Sequence, residues 1–417
     1  MAKPPLARLL SKVHPMTPGF LRIAVILGLI SAVGPFAIDM YLPALPSIGQ
    51  DLGTTTAAVQ MSLFVFFLAL AVGQIFVGPI SDMFGRKAPL YAGLALFAAG
   101  GVGAALAPNV EWLIAFRFIQ GLGATTGMVV PRAIVRDLHT GAEAARLMGL
   151  LMLVFSVSPI LAPLVGSVVI AALGWRAVFW FVTAAAFIGM ALLSTFKETR
   201  PAEQRIGSSF AGALAGYKVL MRDPNFLGLT FIGSFGIASF FIYLASSSFV
   251  LIDHYGLSPT LYSVAFSVNA VAFFAMAQLT GPLTERFGLA RVVRIAVAGY
   301  AAATLVLLAA MAGGAQGLEV LVVGLFVSFG FLGLVIPSTA VLAMEEHGEI
   351  AGTASALMGT LQFVTGAVAM GVSGLFFDGT PLPMVAGIAV AAVIALVLTH
   401  ATLGRRLSVT AQSAPAE

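Results

Sequence analysis

The chain is 417 residues long with a net charge of +4, and it is 59 % hydrophobic but only 9 % charged, with a mean hydropathy of +1.03. A soluble domain carries about 25 % charged residues, so these values exclude a water-soluble globular protein and point to a chain immersed in lipid. With no cysteine, a disulfide framework, a thiolate metal site and cysteine-based catalysis are excluded together.

A membrane helix needs about 20 predominantly apolar residues. Apolar runs broken by Gly, Pro and charge predict spans at 20–43, 57–79, 88–107, 111–130, 146–170 and 174–196. Six more follow at 226–252, 260–283, 292–312, 318–342, 353–376 and 382–404. The runs are continuous rather than alternating, which suits helices that satisfy their own backbone in lipid and not barrel strands. The expected fold is an all-α integral membrane protein. Twelve transmembrane helices form an N-terminal six-helix bundle (1–196) and a C-terminal one (226–404), joined by a linker (197–225) and followed by a tail (405–417). Every Lys and Arg except Arg117, within span 4, and Arg176, at the edge of span 6, falls on one side. By the positive-inside rule that side is cytoplasmic, and both termini lie there. The first apolar run has spanning length and continues into "DMYLPALPSI" rather than a small-residue cleavage site, so a cleaved signal peptide is not expected.

The loop after span 2, "GPISDMFGRK" (Gly78–Lys87), returns after span 8 as "GPLTERFGLA" (Gly281–Ala290), with Gly, Pro, Phe and Gly unchanged. The chain therefore reads as a duplication of six helices, an arrangement that lets two halves rock about a cavity near the bilayer midplane. Gly85 suits a turn with positive φ, and Asp82 is expected to accept hydrogen bonds from a neighbouring helix N-terminus or to pair with an arginine such as Arg136. Gly78, Asp82, Gly85, Arg86 and Arg136 form a candidate cytoplasmic gate; a solvated turn carrying topology-setting charges is the alternative. The loop after span 10, "MEEHGEIAGTAS", is acidic, so Glu345, Glu346 and Glu349 are candidates to meet the basic loops, with the start of span 11 receiving Asp82.

Four stretches resemble the major facilitator superfamily, and within it the twelve-span drug:proton antiporters of the Bcr/CflA type. "GPISDMFGRKAPL" is similar to the family's loop signature, with Met83 where that pattern usually has Arg. "RFIQGLGATTG", from Arg117, is similar to its span 4 signature, and "SVSPILAPLVGSVV" to its span 5 antiporter signature, with Ala162 before Pro163 and Ser167 after Gly166. "AIDMYLPALPSI" most resembles the Bcr/CflA group. The resemblance covers the whole chain. It implies an MFS fold around a central cavity, a bacterial inner-membrane location, a small-molecule drug substrate, protons as coupling ion, no cofactor and a monomer. It also implies that Pro159, Pro163 and Gly166 act as a hinge or seal in span 5; packing alone is the other reading.

Ionisable side chains inside a membrane are expensive and read as functional. Asp39 in span 1 and Arg117 in span 4 qualify, and counting about 1.5 Å per residue puts both some 6 to 10 Å inside the outer boundary, where they could face each other. They are the candidates for proton coupling. For Asp39 the plain alternative is an interfacial residue reaching water. For Arg117, aligning Pro131 with Pro337 gives Val323 as its counterpart, so packing does not demand an arginine. Phe36, Tyr41, Gln120, Tyr243, Phe249 and Asn269 are candidate substrate contacts, each equally compatible with packing. The expected function is secondary active multidrug efflux, exchanging protons for small, mostly apolar, amphenicol- or bicyclomycin-like drugs. The alternative is a proton-coupled symporter or exporter of a small metabolite, less favoured because the central third of the helices offers few polar or basic groups for a sugar or anion. No G-x-x-x-x-G-K-[ST] loop is present, and His14, His139, His254, His347 and His400 are scattered, so neither a nucleotide-driven pump, a metal site nor an enzyme is expected. A sensor on the same scaffold would bind without flux.

Overall fold

The computed structural model describes residues 18–205, 210–345, 347 and 350–412. Helix α1 (Pro18–Asp39) leads through a 3₁₀ turn (Leu42–Ala44) into the short α2 (Leu45–Asp51). The first half continues with α3 (Thr56–Phe84), α4 (Lys87–Ala105), α5 (Val110–Leu138), α6 (Gly141–Leu173) and α7 (Arg176–Ser194). The linker carries α8 (Phe210–Leu220). The second half is built from α9 (Pro224–Ser248), prolonged by a π-helical turn (Phe249–His254), α10 (Pro259–Gln278) and its continuation α11 (Thr280–Phe287). It ends with α12 (Leu289–Ala312), α13 (Leu318–Met344), α14 (Ala351–Leu375) and α15 (Pro381–Gln412). Among the described residues, twelve segments are long and apolar enough to cross a membrane, as the hydropathy pattern predicts.

Helix starts follow local chemistry. Asn109 accepts from the backbone N–H of Trp112, and Asp223 from those of Asn225 and Phe226. Proline occupies the first position of α9 and α10, where its missing N–H costs nothing. Both copies of the repeated motif end a helix on a left-handed glycine, Gly85 at φ +85° and Gly288 at φ +79°. Several helices overrun the expected spans: α3 reaches Phe84, α5 Leu138 and α13 Met344. A helix stops at a capping residue and not where apolarity fades, so Asp82, Arg132 and Arg136 lie on helical turns and not in loops. The linker is likewise not plain coil: Tyr217 of α8 donates to the carbonyl of Ile75 on α3.

In the first half, α5 packs on α3 and α4 while α1 packs on α6 and α7. In the second, α9 packs on α14 and α15 while α13 packs on α10 and α12. The halves meet along two seams, α3 against α14 and α6 against α10. Hydroxyls bind the second seam: Ser263 and Ser267 of α10 donate to the carbonyls of Pro163 and Ile160, at 2.9 and 2.8 Å. Rings fill the first, where Phe67 stacks on Phe241 at 4.0 Å and Phe363 lies 5.6 Å from Phe241. The two faces of the molecule differ. On the face opposite the basic loops, the 3₁₀ turn and α2 pack onto α9, α10 and the π-helical turn. On the basic face, a cleft of about 450 Å³ separates the halves.

Candidate functional site

Asp39 sits at a break in the first membrane segment. A helix running past it would need an N–H at residue 43 to bond the Asp39 carbonyl, and residue 43 is proline. The chain tightens instead: Met40 still bonds Phe36, but Tyr41 bonds Ile38 and Ala44 bonds Tyr41. The segment then continues to Asp51 and does not end near residue 43. Asp39 is consequently deeper than the sequence suggests. Its carboxylate accepts from Ser158 at 3.1 Å, and Ser158 lies 15 residues before the end of α6, about 22 Å along that helix. Asp39 is 4 % exposed and is not an interfacial residue reaching water.

Arg117 is fully buried. Its Nη1 donates to the carbonyl of Ala37 at 3.2 Å and to Gln120 Oε1 at 2.7 Å. The first contact satisfies an orphan carbonyl in the last turn of α1 and places positive charge at the negative end of that helix. The guanidinium lies 4.1 Å from the ring of Phe66, 4.6 Å from Tyr41 and 5.8 Å from Phe179, an aromatic box that suits a desolvated cation. Its Nε and Nη2 have no partner. Asp39 and Arg117 are thus brought to the same helix end, but among the described residues no ion pair joins them. Arg117 arrives from α5 and is engaged by the end of α1, whereas the Asp39 carboxylate turns toward α6. Val323, the counterpart taken from the proline alignment, is 61 % exposed, whereas Leu325 two residues on is buried. The two positions do not share an environment.

The expected substrate contacts divide. Tyr41 bonds Ser62 at 2.8 Å and Gln120 bonds Arg117, so both belong to the buried cluster. Tyr243 accepts from Asn269 Nδ2 at 3.0 Å and stacks on Phe266, making a second buried polar cluster in the other half. Phe36 does not face the interior: it lines an apolar groove between α1 and α7 beside exposed Phe181 and Ile188. Phe249 begins the π-helical turn and packs on Phe377. In α6, Pro159 and Pro163 fall inside the helix, and Gly166 packs flat on the break in α1, where a Cβ would lie 2.8 Å from the Met40 Cα.

Of the residues expected to form a cytoplasmic gate, Asp82 and Gly85 lie beside Arg86. Its Nη1 donates to Asp82 at 2.8 Å and to Ser81 at 2.9 Å, while Nε and Nη2 form a fork onto Asp137 at 2.7 and 3.2 Å. Arg200 from the linker also reaches Asp82 at 3.3 Å. Glu198 caps the start of α4, accepting from the backbone N–H of Arg86 and Lys87 at 2.8 and 3.1 Å. Burial would raise its carboxyl, but these N–H groups and those of Arg200 and Thr199 outweigh burial and hold it below the ordinary glutamate value. Burial likewise opposes the Arg86 charge, and Asp137 and Asp82 more than restore it, holding the guanidinium above its usual value. Gly85 closes against this cluster, whereas a Cβ at Gly78 would meet nothing within 4 Å. The expected partner of Asp82 was Arg136 or the start of α14, and it is neither. Arg136 is exposed and lines the cleft, its side chain leaving α5 about 100° round the helix from that of Asp137. Glu345 is exposed, and Glu346 and Glu349 lie outside the described residues.

Sequence reasoning missed Ser158, Ser62, Glu198 and Asp137. The hydroxyls carry no signal apart from their fold partners, and Glu198 lies in a linker whose docking is not periodic. The cleft was missed as well. Gln74, Met128, Arg132, Arg136, Gln362 and Phe363 are among its lining residues, contributed by α3, α5 and α14.

Comparison with known proteins agrees with this architecture. The family model described as Major Facilitator Superfamily matches residues 27–370. An uncharacterized MFS-type transporter, YdgK, of Bacillus subtilis (strain 168) is 37 % identical over 378 residues, covering 90 % of this chain and 93 % of the relative. A bicyclomycin resistance protein homolog of Haemophilus influenzae (strain ATCC 51907 / DSM 11121 / KW20 / Rd) is 27 % identical over 383 residues, covering 91 % and 96 %. Among solved structures, a D-xylose-proton symporter superposes with a TM-score of 0.72 at 17 % identity, covering 91 % of this chain and 97 % of that one, a likeness of fold. Twelve membrane helices in two similar halves, the family match across both, and relatives aligned over nearly their full length lead to one conclusion: the chain belongs to the Major Facilitator Superfamily and is a membrane transporter, not an enzyme.

Proposed function

We propose that this transporter exports small, mostly apolar drugs of the amphenicol or bicyclomycin kind in exchange for protons, by alternating access, with its basic face and both termini in the cytoplasm. One observation carries the reading: a carboxyl in the membrane interior, at a helix break, accepting from the Ser158 hydroxyl and, among the described residues, in no ion pair. A carboxyl so placed gains and loses a proton at a cost set by the helices around it, so a change of conformation changes its charge. The names of the relatives support a drug as cargo. The sealed face beside Asp39 and the open cleft on the other side support an arrangement ready to load from the cytoplasm.

The cycle follows from competition. With the outer face open, water reaches Asp39 and protonates it. After the halves rock, drug entering from the cleft disturbs the cluster around Arg117 and Gln120, and Asp39 gives its proton to the cytoplasm. Proton and drug then exclude one another, as antiport requires thermodynamically. Arg117 holds the end of α1 in place through Ala37, so movement of α1 and occupancy of the aromatic box are linked.

The test is proton release from purified protein in detergent near neutral pH on adding chloramphenicol or bicyclomycin, with Asp39→Asn alongside. Release of about one proton per bound drug in the wild type, absent in Asp39→Asn, is the expected result. Equal release from both would overturn the role of Asp39, and binding without release would overturn antiport.

A further inference from the structure

Arg132 and Arg136 lie one helical turn apart on α5 and both line the cleft on the basic face, and its lining among the described residues holds no Asp or Glu. Like charges at this spacing repel each other, and more strongly where the surroundings are partly dry. The Arg132 Nε is buried without a hydrogen-bond partner, and the guanidinium sits 5.3 Å from the Phe155 ring. Two described carboxylates close to this pair in the chain or in the loop beside it are engaged elsewhere. Asp137, adjacent in sequence, holds the Arg86 fork and accepts from Thr199, and Asp82 is shared by Arg86 and Arg200. Gln74 and Gln362 bring amides from both halves, and Met128, Met148, Met344 and Met358 supply a soft apolar wall above Phe363.

Resting on the export reading above, we propose that this cleft is the loading site for amphipathic organic anions: aromatic compounds bearing a carboxylate or similarly acidic group. The acid meets the Arg132 and Arg136 guanidiniums, which suit planar oxyanions through paired N–H donors, and the ring rests on the methionines. A cleft of about 450 Å³ accepts one drug-sized molecule. This is more basic character than the sequence suggested, because Arg132 and Arg136 read as loop charges until α5 is seen to extend to Leu138. A cation entering the same cleft would meet the two guanidinium charges.

The experiment is equilibrium dialysis of the full-length protein in detergent with three probes on one ring system: 2-naphthoate, 2-naphthamide and 2-naphthylmethylammonium. We expect naphthoate to bind at least ten-fold more tightly than the amide, and the cation to bind most weakly. Arg132→Gln should bring naphthoate to the affinity of the amide while leaving amide binding unchanged, and Arg132→Lys should keep part of the preference. Equal affinity for the three probes, preference for the cation, or no naphthoate binding at millimolar concentration would each overturn the proposal. The wild-type series decides this even if a variant does not fold. Charge-blind binding alongside drug-induced proton release would remove the anion preference and leave export standing; tight naphthoate binding without such release would do the reverse.

Discussion

Arg86 shows how one side chain can organise a whole loop. It is buried, yet each of its three guanidinium nitrogens has a partner, and its own backbone N–H points at Glu198. Replacing it by Gln leaves Asp137 without its guanidinium fork and Asp82 with Arg200 alone, and losing charge-assisted hydrogen bonds of this kind costs about 1.5 to 3 kcal/mol. Arg86→Gln should therefore lower the melting temperature in detergent, while proton release at Asp39 survives in protein that stays folded. Glu198 adds a pH dependence. Its folded-state value is depressed, so its stabilisation is complete above the unfolded glutamate value and is lost as pH falls through the folded one. Melting temperatures recorded from pH 7 down to about 3 should begin to converge for wild type and Glu198→Gln only below the ordinary glutamate value. Parallel curves would show that the cap contributes nothing through its charge. The second copy of the motif keeps the glycine turn but has Leu289 where the first has Arg86, and among the described residues no such ion-pair network forms around it. The repeat alone could not reveal that asymmetry.

At the scale of elements, α6 is the helix whose surroundings matter most. It touches the break in α1 through Gly166 and Ser158, and it receives the hydroxyls of α10 at Ile160 and Pro163. A net hydrogen bond is worth about 1 kcal/mol, so Ser263→Ala with Ser267→Ala should weaken closure of this seam by about 2 kcal/mol, a shift of roughly thirty-fold in population. Spin labels on Ala57→Cys and Thr260→Cys, both exposed on the sealed face, should then report a longer, broader distance distribution. The absence of native cysteine makes the labelling clean. Gly166→Leu should do the same more strongly, because its side chain would run into the Met40 backbone. If the distances do not move in either variant, the second seam is not what closes this face.

For the whole molecule, the relevant quantity is separation of the two aqueous sides. Phe67, Phe241 and Phe363, from α3, α9 and α14, are stacked where the halves meet, and Phe363 also floors the cleft. Truncating a buried Phe removes about 3 to 5 kcal/mol of packing. Phe67→Ala in proteoliposomes should raise passive proton leak several-fold without drug, and a leak equal to wild type would place the barrier elsewhere. The linker belongs to the same scale: through Tyr217 on α3 and the contact of Gly216 with Thr353, α8 spans both sides of the first seam and can follow their relative movement.

Much of this was legible in the sequence. Twelve spans, two halves, a motif with a left-handed glycine in each, and two buried charges in the first half all follow from local composition. Lipid enforces backbone self-satisfaction within each segment, so each helix is written in about 20 consecutive residues. The partners of the buried groups were not legible. Asp39 meets Ser158 and not Arg117, Asp82 meets Arg86 and Arg200 and not Arg136, and Phe36 faces outward. Those outcomes depend on how far each helix extends past its apolar stretch, and on its rotation and tilt against helices more than a hundred residues away. Such quantities are set by packing across the bundle, and no run of neighbouring residues encodes them.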